Sequence, residues 1–260
     1  MPIGEAYRKQ AALLIKTLPF VAAEKAFALK GGTAINLFVR DMPRMSVDID
    51  LTYVPVADRE TSLQDIDASM KRIADALSKG LLAQVAASAP KGERSITKLV
   101  VRVDSAQIKI EVTPVLRGCV YQPQVRSVSP RVEEAFGFAE ISVVSFPDLY
   151  AGKIVAALDR QHPRDLFDVR DLLANEGIDE KLRSAFIVYL LSHDRPMAEV
   201  LAPQRHDISE ECKRGFEGMV NEVVTLDETD AGARGSHSSN GWRDARAASA
   251  ILDFGEAWRA

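Results

Sequence analysis

Two aspartates placed one residue apart, Asp48 and Asp50, interrupt an apolar run in a way that indicates chemistry. They alternate with Val47, Ile49 and Leu51. This is the period of a β-strand, in which successive side chains point to opposite faces. Both carboxylates are therefore expected on one face of the strand. Two like charges so close together repel and resist burial unless a cation or a hydrogen-bond donor neutralises them, and a divalent metal does so directly.

A pair of glycines, Gly31 and Gly32, precedes the aspartates and opens a helix-like segment. Because glycine has no Cβ, the pair permits a tight turn and lets a phosphate approach the backbone. The free N–H groups at the start of the following helix would then point at that anion. Metal plus triphosphate is the ligand that these two features imply together.

The order Gly-Gly-Thr-Ala and then Asp-x-Asp resembles the nucleotidyltransferase signature of the polymerase-beta-like superfamily. The segment KGGTAINLF from Lys30, followed by Arg44, Ser46 and the sequence Asp-Ile-Asp-Leu from Asp48, resembles the AbiEii/MenT toxin branch. A double glycine is usually a plain loop and an aspartate pair is usually a solvated turn, but their order and spacing favour function. The resemblance implies Mg²⁺ on Asp48 and Asp50 and an NTP substrate. The implied nucleotide-binding residues are Lys30, Gly31, Gly32, Thr33, Ser46 and Lys153.

A third carboxylate is expected on a later strand. Ile108, Ile110 and Val112 alternate with Lys109, Glu111 and Thr113, and the superfamily that the sequence resembles places its third metal ligand in such an acid-bearing strand. The alternating pattern alone is equally typical of a strand with one face in water. The resemblance favours Glu111 as the third ligand, with Asp104 as the substitute if the register differs.

A second motif also resembles the toxin family, with Lys153, Arg160 and then the block Arg-Asp-Leu-Phe-Asp from Arg164. Lys153 lies in a small, apolar stretch, where an unpaired ammonium is costly without an anion, which favours a functional role. The resemblance implies that it holds nucleotide phosphates. Asp165 and Asp168 share a helix face. One of them would orient Lys153 or a metal-bound water. For Arg164 and Asp168, a salt bridge between packed helices is the favoured alternative.

Composition limits the class of protein. The 260 residues include 47% apolar and 27% charged residues, and the formal net charge is −4 at pH 7, so a nucleic-acid partner would need a local basic patch. The sequence has no apolar run long enough for a membrane span and no signal-peptide pattern, which predicts a cytoplasmic protein. Cys119 and Cys212 are expected to be free thiols.

Apolar spacing predicts an α+β fold. The expected architecture is a mixed, mainly antiparallel sheet with helices on one side, followed by a helical domain, with the active site in the cleft between them. The predicted helices cover residues 5–18, 33–39, 58–79, 145–160, 164–175 and 179–192, with helix continuing to about 226. The predicted strands cover residues 26–29, 47–54, 82–87, 97–103, 107–113 and 140–144.

The loops and domain limits follow from the same pattern. We expect a hairpin at Asp104–Ala106 and a turn-rich connection over 118–130. Ser145 and Asp148 predict a capping box at a helix start. The predicted domains are a nucleotidyltransferase core (1–144), a helical domain (145–225) and a tail (226–260). The composition of residues 230–241 is typical of a loop or disorder, and residues 242–258 could form a terminal helix.

The resemblance implies transfer of a nucleoside monophosphate from an NTP to a hydroxyl group with Mg²⁺. It makes the acceptor stem of tRNA the leading acceptor and a cognate antitoxin the leading protein partner. An antibiotic-modifying nucleotidyltransferase is an alternative, but it should have an acidic pocket for a cationic drug, which the basic residues of the second motif oppose. A non-catalytic nucleotide-binding regulatory module is another if Glu111 is misplaced. A purely structural role leaves Asp48 and Asp50 unexplained.

Overall fold

A mixed β-sheet is the main feature of the first part of the chain. The computed structural model describes residues 4–202 together with 208, 210, 211 and 219. The strands of the described residues are β1 (Phe27–Lys30), β2 (Asp48–Tyr53), β3 (Gln84–Ser88), β4 (Lys98–Val103), β5 (Ala106–Thr113), β6 (Gln124–Ser127) and β7 (Glu140–Val143). They form one sheet in the order β3-β4-β5-β2-β1-β7-β6. β1 pairs with β7 and β2 pairs with β5 in parallel, and the other neighbours are antiparallel.

Helices alternate with these strands and then follow them. They are α1 (Glu5–Ala22), α2 (Gly31–Ala34), α3 (Arg59–Gly80), α4 (Pro130–Phe136), α5 (Phe146–Arg160), α6 (Pro163–Asn175), α7 (Glu180–Leu191) and α8 (Met197–Leu201). A π-helical turn, Ile35–Val39, continues α2. None of the helices in the described residues is long and apolar enough to cross a membrane. The predicted α+β class with a mixed sheet is confirmed.

One face of the sheet is covered by two long helices. α1 packs against β5 and β7, α3 packs against β3 and β4, and the two helices also contact each other. The strands supply alternate buried residues to the core, such as Ile49 and Leu51 of β2 and Ile108 and Ile110 of β5. Because strand side chains alternate, the residues between them lie on the other face.

The chain divides into two compact units, a sheet unit (Ile3–Leu149) and a helical unit that contains Tyr150 and the residues after it, together with Met1–Pro2. The predicted domain limits at 144/145 and 225/226 remain predictions. The second limit lies outside the described residues, as do the predicted tail and its terminal helix.

Two elements of the sheet unit were not predicted. β6 and α4 lie within or next to the segment 118–130, which was expected to be a turn-rich connection. β6 is an edge strand with three of its four residues exposed, and α4 buries only Val132. Neither element therefore shows the apolar period by which a strand or helix is recognised.

Ser145 caps the start of α5, as predicted, and its hydroxyl rather than its backbone N–H is bonded to Asp148. The Ser145 hydroxyl donates to the Asp148 carboxylate, and the Asp148 N–H donates to the Ser145 hydroxyl at 3.1 Å. The buried Asp148 carboxylate also accepts the backbone N–H groups of Val120 and Tyr121 at 2.7 and 2.9 Å. Asp148 thus fixes the loop beside Cys119, a free thiol whose pKa burial raises to about 12, so it is protonated at neutral pH.

Candidate active site

Asp48 and Asp50 lie on the same face of β2, as the alternation predicts. Ile49 and Leu51 are buried, whereas both aspartates are partly exposed. The aspartates therefore point away from the core side of a central strand. β5 lies on one side of β2 and β1 lies on the other.

Glu111 lies directly beside Asp50. In the parallel β2–β5 pair, Asp50 is in register with Glu111 and Asp48 is in register with Lys109. Residues in register on neighbouring strands share a face of the sheet, so the three predicted carboxylates are on one surface. Asp104, the substitute candidate, lies in the β4–β5 turn with φ 50°, several residues before the part of β5 that pairs with β2, which rules out that substitution.

The Glu111 carboxylate is already paired. It forms an ion pair with Lys98 of β4, which is in register with it across the β4–β5 hairpin. The hydrogen bond and charge of Glu111 raise the pKa of Lys98, and the charge of Asp48 adds to this effect. In the described part of the chain, no group of three or more His, Cys, Asp or Glu side chains could together hold a metal ion as they stand. The strands align the three carboxylates on one face, but Glu111 is held by Lys98.

The glycine turn is fitted closely around Asp50 and Arg44. Gly31 has φ +74°, and a Cβ on it would lie 2.6 Å from Asp50 Oδ2. A Cβ on Gly32 would lie 2.8 Å from Arg44 Nη2 and 3.0 Å from Ser46 Oγ. The backbone conformation at Gly31 thus favours glycine, and a side chain at Gly32 would displace the ends of the Arg44 and Ser46 side chains, in addition to the predicted approach of a phosphate.

Thr33 fastens this turn to the aspartate strand, and Asn36 braces the turn itself. The Thr33 hydroxyl, which is fully buried, donates to the Asp48 carbonyl at 2.5 Å and lies 3.0 Å from the Ser46 hydroxyl. Asn36 Nδ2 donates to the Gly32 carbonyl at 2.9 Å. Thr33 and Ser46 thus position the turn against Asp48, and their predicted contact with the nucleotide stays a prediction.

Lys30 is the neighbour of Asp50 on its other side. The two residues are in register in the antiparallel β1–β2 pair. Burial lowers the pKa of the Lys30 ammonium, and the charge of Asp50 opposes that effect. The row across the sheet therefore reads Lys98, Glu111, Asp50, Lys30, with each carboxylate next to a lysine.

The second motif forms a buried ion cluster in the helical unit. Lys153 Nζ of α5 lies 2.9 Å from Asp165 Oδ1 and 3.1 Å from Asp168 Oδ2 of α6, and all three side chains are less than a tenth exposed. Arg160 Nε contacts Asp165 Oδ2 at 2.6 Å, although 62% of the Arg160 side chain is exposed. Both aspartates therefore contact the ammonium, and they supply within the protein the anion that a buried lysine requires. Its predicted role in nucleotide binding stays a prediction.

Opposing effects act on the Asp165 carboxyl. Burial would raise its pKa, but the charges of Lys153 and Arg160 and their hydrogen bonds hold it well below the usual range. Asp165 is therefore ionised throughout the neutral range. Arg164, which was considered for a salt bridge, lies in the first turn of α6, and its N–H donates to the Nδ1 atom of the N-cap residue His162 at 3.2 Å.

Both motifs lie within a stretch that matches a known protein family. The family model described as "Nucleotidyl transferase AbiEii toxin, Type IV TA system" matches residues 12–257. The chain belongs to this family. It is thus a nucleotidyltransferase and the toxin of a type IV toxin–antitoxin system. No curated protein matches the sequence.

A solved structure agrees with the family at the level of the fold. The chain is similar to the MenT4 nucleotidyltransferase toxin of Mycobacterium tuberculosis H37Rv, with a TM-score of 0.64 and 14% sequence identity. The match covers 96% of this chain and 84% of that one. At this identity the similarity concerns the fold alone.

The sheet face of this AbiEii-family protein suits a divalent cation. Its donors are carboxylates, the ligands that Mg²⁺ prefers, and Gly31, which has no Cβ, leaves room for the Asp50 carboxylate beside the turn. Lys98 is the residue that sequence analysis missed. A two-residue turn between β4 and β5 places Lys98 opposite Glu111. The predicted loop has three residues, which shifts the strand register by one and places Val112 opposite Lys98 instead.

Proposed function

We propose that this toxin transfers a nucleoside monophosphate from an NTP to a hydroxyl group, with release of pyrophosphate, in a reaction that requires Mg²⁺. The observation that carries the proposal is the shared face of Asp48, Asp50 and Glu111 on neighbouring strands. Three carboxylates that share one face in the middle of a sheet repel each other and add nothing to the core, so their grouping is better explained by a bound cation than by packing.

Each residue of the face has a part in this proposal. Asp48 and Asp50 would hold Mg²⁺, and Glu111 would complete the site beside the acceptor hydroxyl. Bound Mg²⁺ supplies a Lewis acid that activates the attacking oxygen and stabilises charge on the leaving one. Gly31 and Gly32 give the triphosphate access to the backbone, and Lys30 offers it a cation next to Asp50.

The proposed acceptor is the 3′ end of tRNA. The support is the family's place in toxin–antitoxin systems, because modifying a component needed for translation would arrest growth. A cognate antitoxin is the matching partner. An antibiotic-modifying activity is the second candidate function by chemistry, but the lysines beside each carboxylate of the row do not suit a cationic drug.

The test is to incubate the purified protein with Mg²⁺, each α-labelled NTP in turn, and total RNA. We expect one or more NTPs to label tRNA at its 3′ end. Asp48→Asn should abolish labelling while the melting transition is kept, since removing one of two repelling charges does not cost stability. Asp75→Asn, a change at an exposed residue of α3, is the matched control and should label normally.

Different failures have different meanings. NTP turnover with label on a protein or a small molecule instead of RNA would defeat the tRNA proposal and spare nucleotidyl transfer. Nucleotide binding without release of pyrophosphate would indicate the regulatory module. Loss of the cooperative melt in Asp48→Asn would make the aspartate pair structural and the metal assignment wrong.

A further inference from the structure

Lys98 forms an ion pair with Glu111, one of the three carboxylates that the proposed nucleotidyl transfer uses. Its ammonium contacts Glu111, and its position on β4 puts it on the same face as Asp48 and Asp50. The charge of Asp48 also acts on it. Lys98 is thus the internal cation nearest to the third carboxylate, in the row Lys98, Glu111, Asp50, Lys30.

The pair is built so that it can be exchanged. The side chains of Lys98 and Glu111 are 38% and 42% exposed. Water therefore screens the attraction between the two charges, and the ion pair is weak. This contrasts with Lys153, whose carboxylate partners are almost fully buried. A buried pair is fixed by the cost of separating its charges, and an exposed one can be displaced by a competing cation.

We propose that Lys98 is a positioning residue of the metal site, holding the Glu111 carboxylate until a divalent cation replaces its ammonium. This inference rests on the proposed function only in taking Glu111 as a metal ligand. Asp48 and Asp50 are then the first ligands to engage a metal, and the site that includes Glu111 fills only when Lys98 releases it. Lys98 thereby weakens metal binding in the absence of substrate.

Direct measurement of Mn²⁺ binding to the full chain, without nucleotide, tests this. In Lys98→Met we expect Mn²⁺ to bind about fivefold more tightly than in the wild type, which corresponds to about 1 kcal/mol. The gain should vanish in a Glu111→Gln background, because the competition passes through that carboxylate. Lys98→Gln should behave as Lys98→Met does, and a cooperative melt of each variant checks that it is folded.

Lys109→Met is the matched control for charge alone. Lys109 lies on the same face, beside Asp48 in register, so its loss removes an equal charge from the same surface. If Lys109→Met tightens Mn²⁺ binding, the increase in affinity should be the same in the wild-type and the Glu111→Gln backgrounds. The same gain for Lys98→Met in both backgrounds would overturn the proposal, since the effect would then be one of general charge.

Two other outcomes separate this inference from the function itself. Unchanged Mn²⁺ affinity in Lys98→Met, with weaker binding in Glu111→Gln, would overturn the competition and leave the metal site intact. Equal Mn²⁺ affinity in the wild type and Glu111→Gln would show that Glu111 is not a ligand. That result would overturn both the inference and the metal assignment on which it rests.

Discussion

Gly31 meets two requirements that only glycine satisfies together. Its φ of +74° lies in the left-handed region, and its missing Cβ leaves room for the Asp50 carboxylate. Gly92 provides a control, because it has φ +86° but nothing within 4 Å of an added Cβ. The two positions therefore separate backbone strain from contact with the site.

We expect Gly31→Ala to destabilise the protein more than Gly92→Ala does. Both changes carry about 1–2 kcal/mol of left-handed strain, and Gly31→Ala adds a collision of the kind that costs about 1–3 kcal/mol in a packed site. Chemical denaturation measures both costs. Gly31→Ala should also weaken Mn²⁺ binding because it displaces Asp50. Equal stability losses and unchanged Mn²⁺ affinity would show that the turn does not constrain the aspartate.

At this scale the sequence located the motifs but not the partners of their side chains. The alternation around Asp48 and Asp50 is local, so it could be recognised from spacing alone. The pairing of Lys98 with Glu111 depends on the length of one turn, and the pairing of Lys153 with two aspartates depends on how two helices pack. A lysine in an apolar stretch gives the same sequence pattern whether it binds a ligand or forms a buried ion pair.

The helices α5 and α6 are joined by a buried ion cluster of Lys153, Asp165 and Asp168, which we expect to contribute to the stability of the helical unit. We expect Lys153→Met to cost about 3–5 kcal/mol in unfolding free energy, because it breaks a buried ion pair and leaves both carboxylates without the ammonium that they contact. Lys98→Met is the matched control from an exposed pair and should cost no more than about 1 kcal/mol. Similar small costs for the two variants would contradict the cluster's structural role.

The same cluster predicts how stability depends on pH. The pKa of Asp165 is lower in the folded protein than in the unfolded chain, where an aspartate has a pKa of about 3.9. Its stabilising contribution is therefore complete above that value and is lost as the pH falls further, because the unfolded chain binds the proton first. Denaturation at pH 7, 5 and 3.5 should show this fall.

Asp165→Asn supplies the comparison for that pH series. It should be less stable than the wild type at pH 7 and should lose less stability between pH 5 and 3.5. Asp75→Asn, at an exposed position, should keep the wild-type dependence. If Asp165→Asn and the wild type lose equal stability on acidification, other carboxylates are responsible.

Elements with a strong apolar period were predictable, and those without one were not. α3 begins at Arg59 with Asp58 as its N-cap, whose carboxylate accepts the Thr61 N–H at 2.9 Å, close to the predicted start. β6 and α4 were missed because their neighbours in the fold, rather than their own patterns, hold them in place. The β6 strand forms its backbone hydrogen bonds with β7. Its own residues are mostly exposed and lack the alternating apolar pattern that would predict this pairing.

At the scale of the whole molecule, an acidic chain must bind a polyanion through a local surface. The net charge is −4, and the basic residues of the second motif do not supply a free positive wall, because Lys153 and Arg160 are matched by Asp165 and Asp168. The sheet face likewise sets lysines beside carboxylates. On these two surfaces of the described residues, the phosphates of an RNA acceptor would therefore meet few uncompensated cations.

This arrangement predicts a weak dependence of acceptor binding on salt. For a single-stranded 3′ end held by about three phosphate contacts, the slope of log K against log salt should be about −2, whereas an extended nucleic-acid groove with six to ten contacts gives a much steeper slope. Titrating labelled tRNA against the Asp48→Asn protein between about 50 and 200 mM salt measures it without turnover. A steep slope would require a basic surface other than the sheet face and the α5–α6 cluster, and would move the acceptor site away from both.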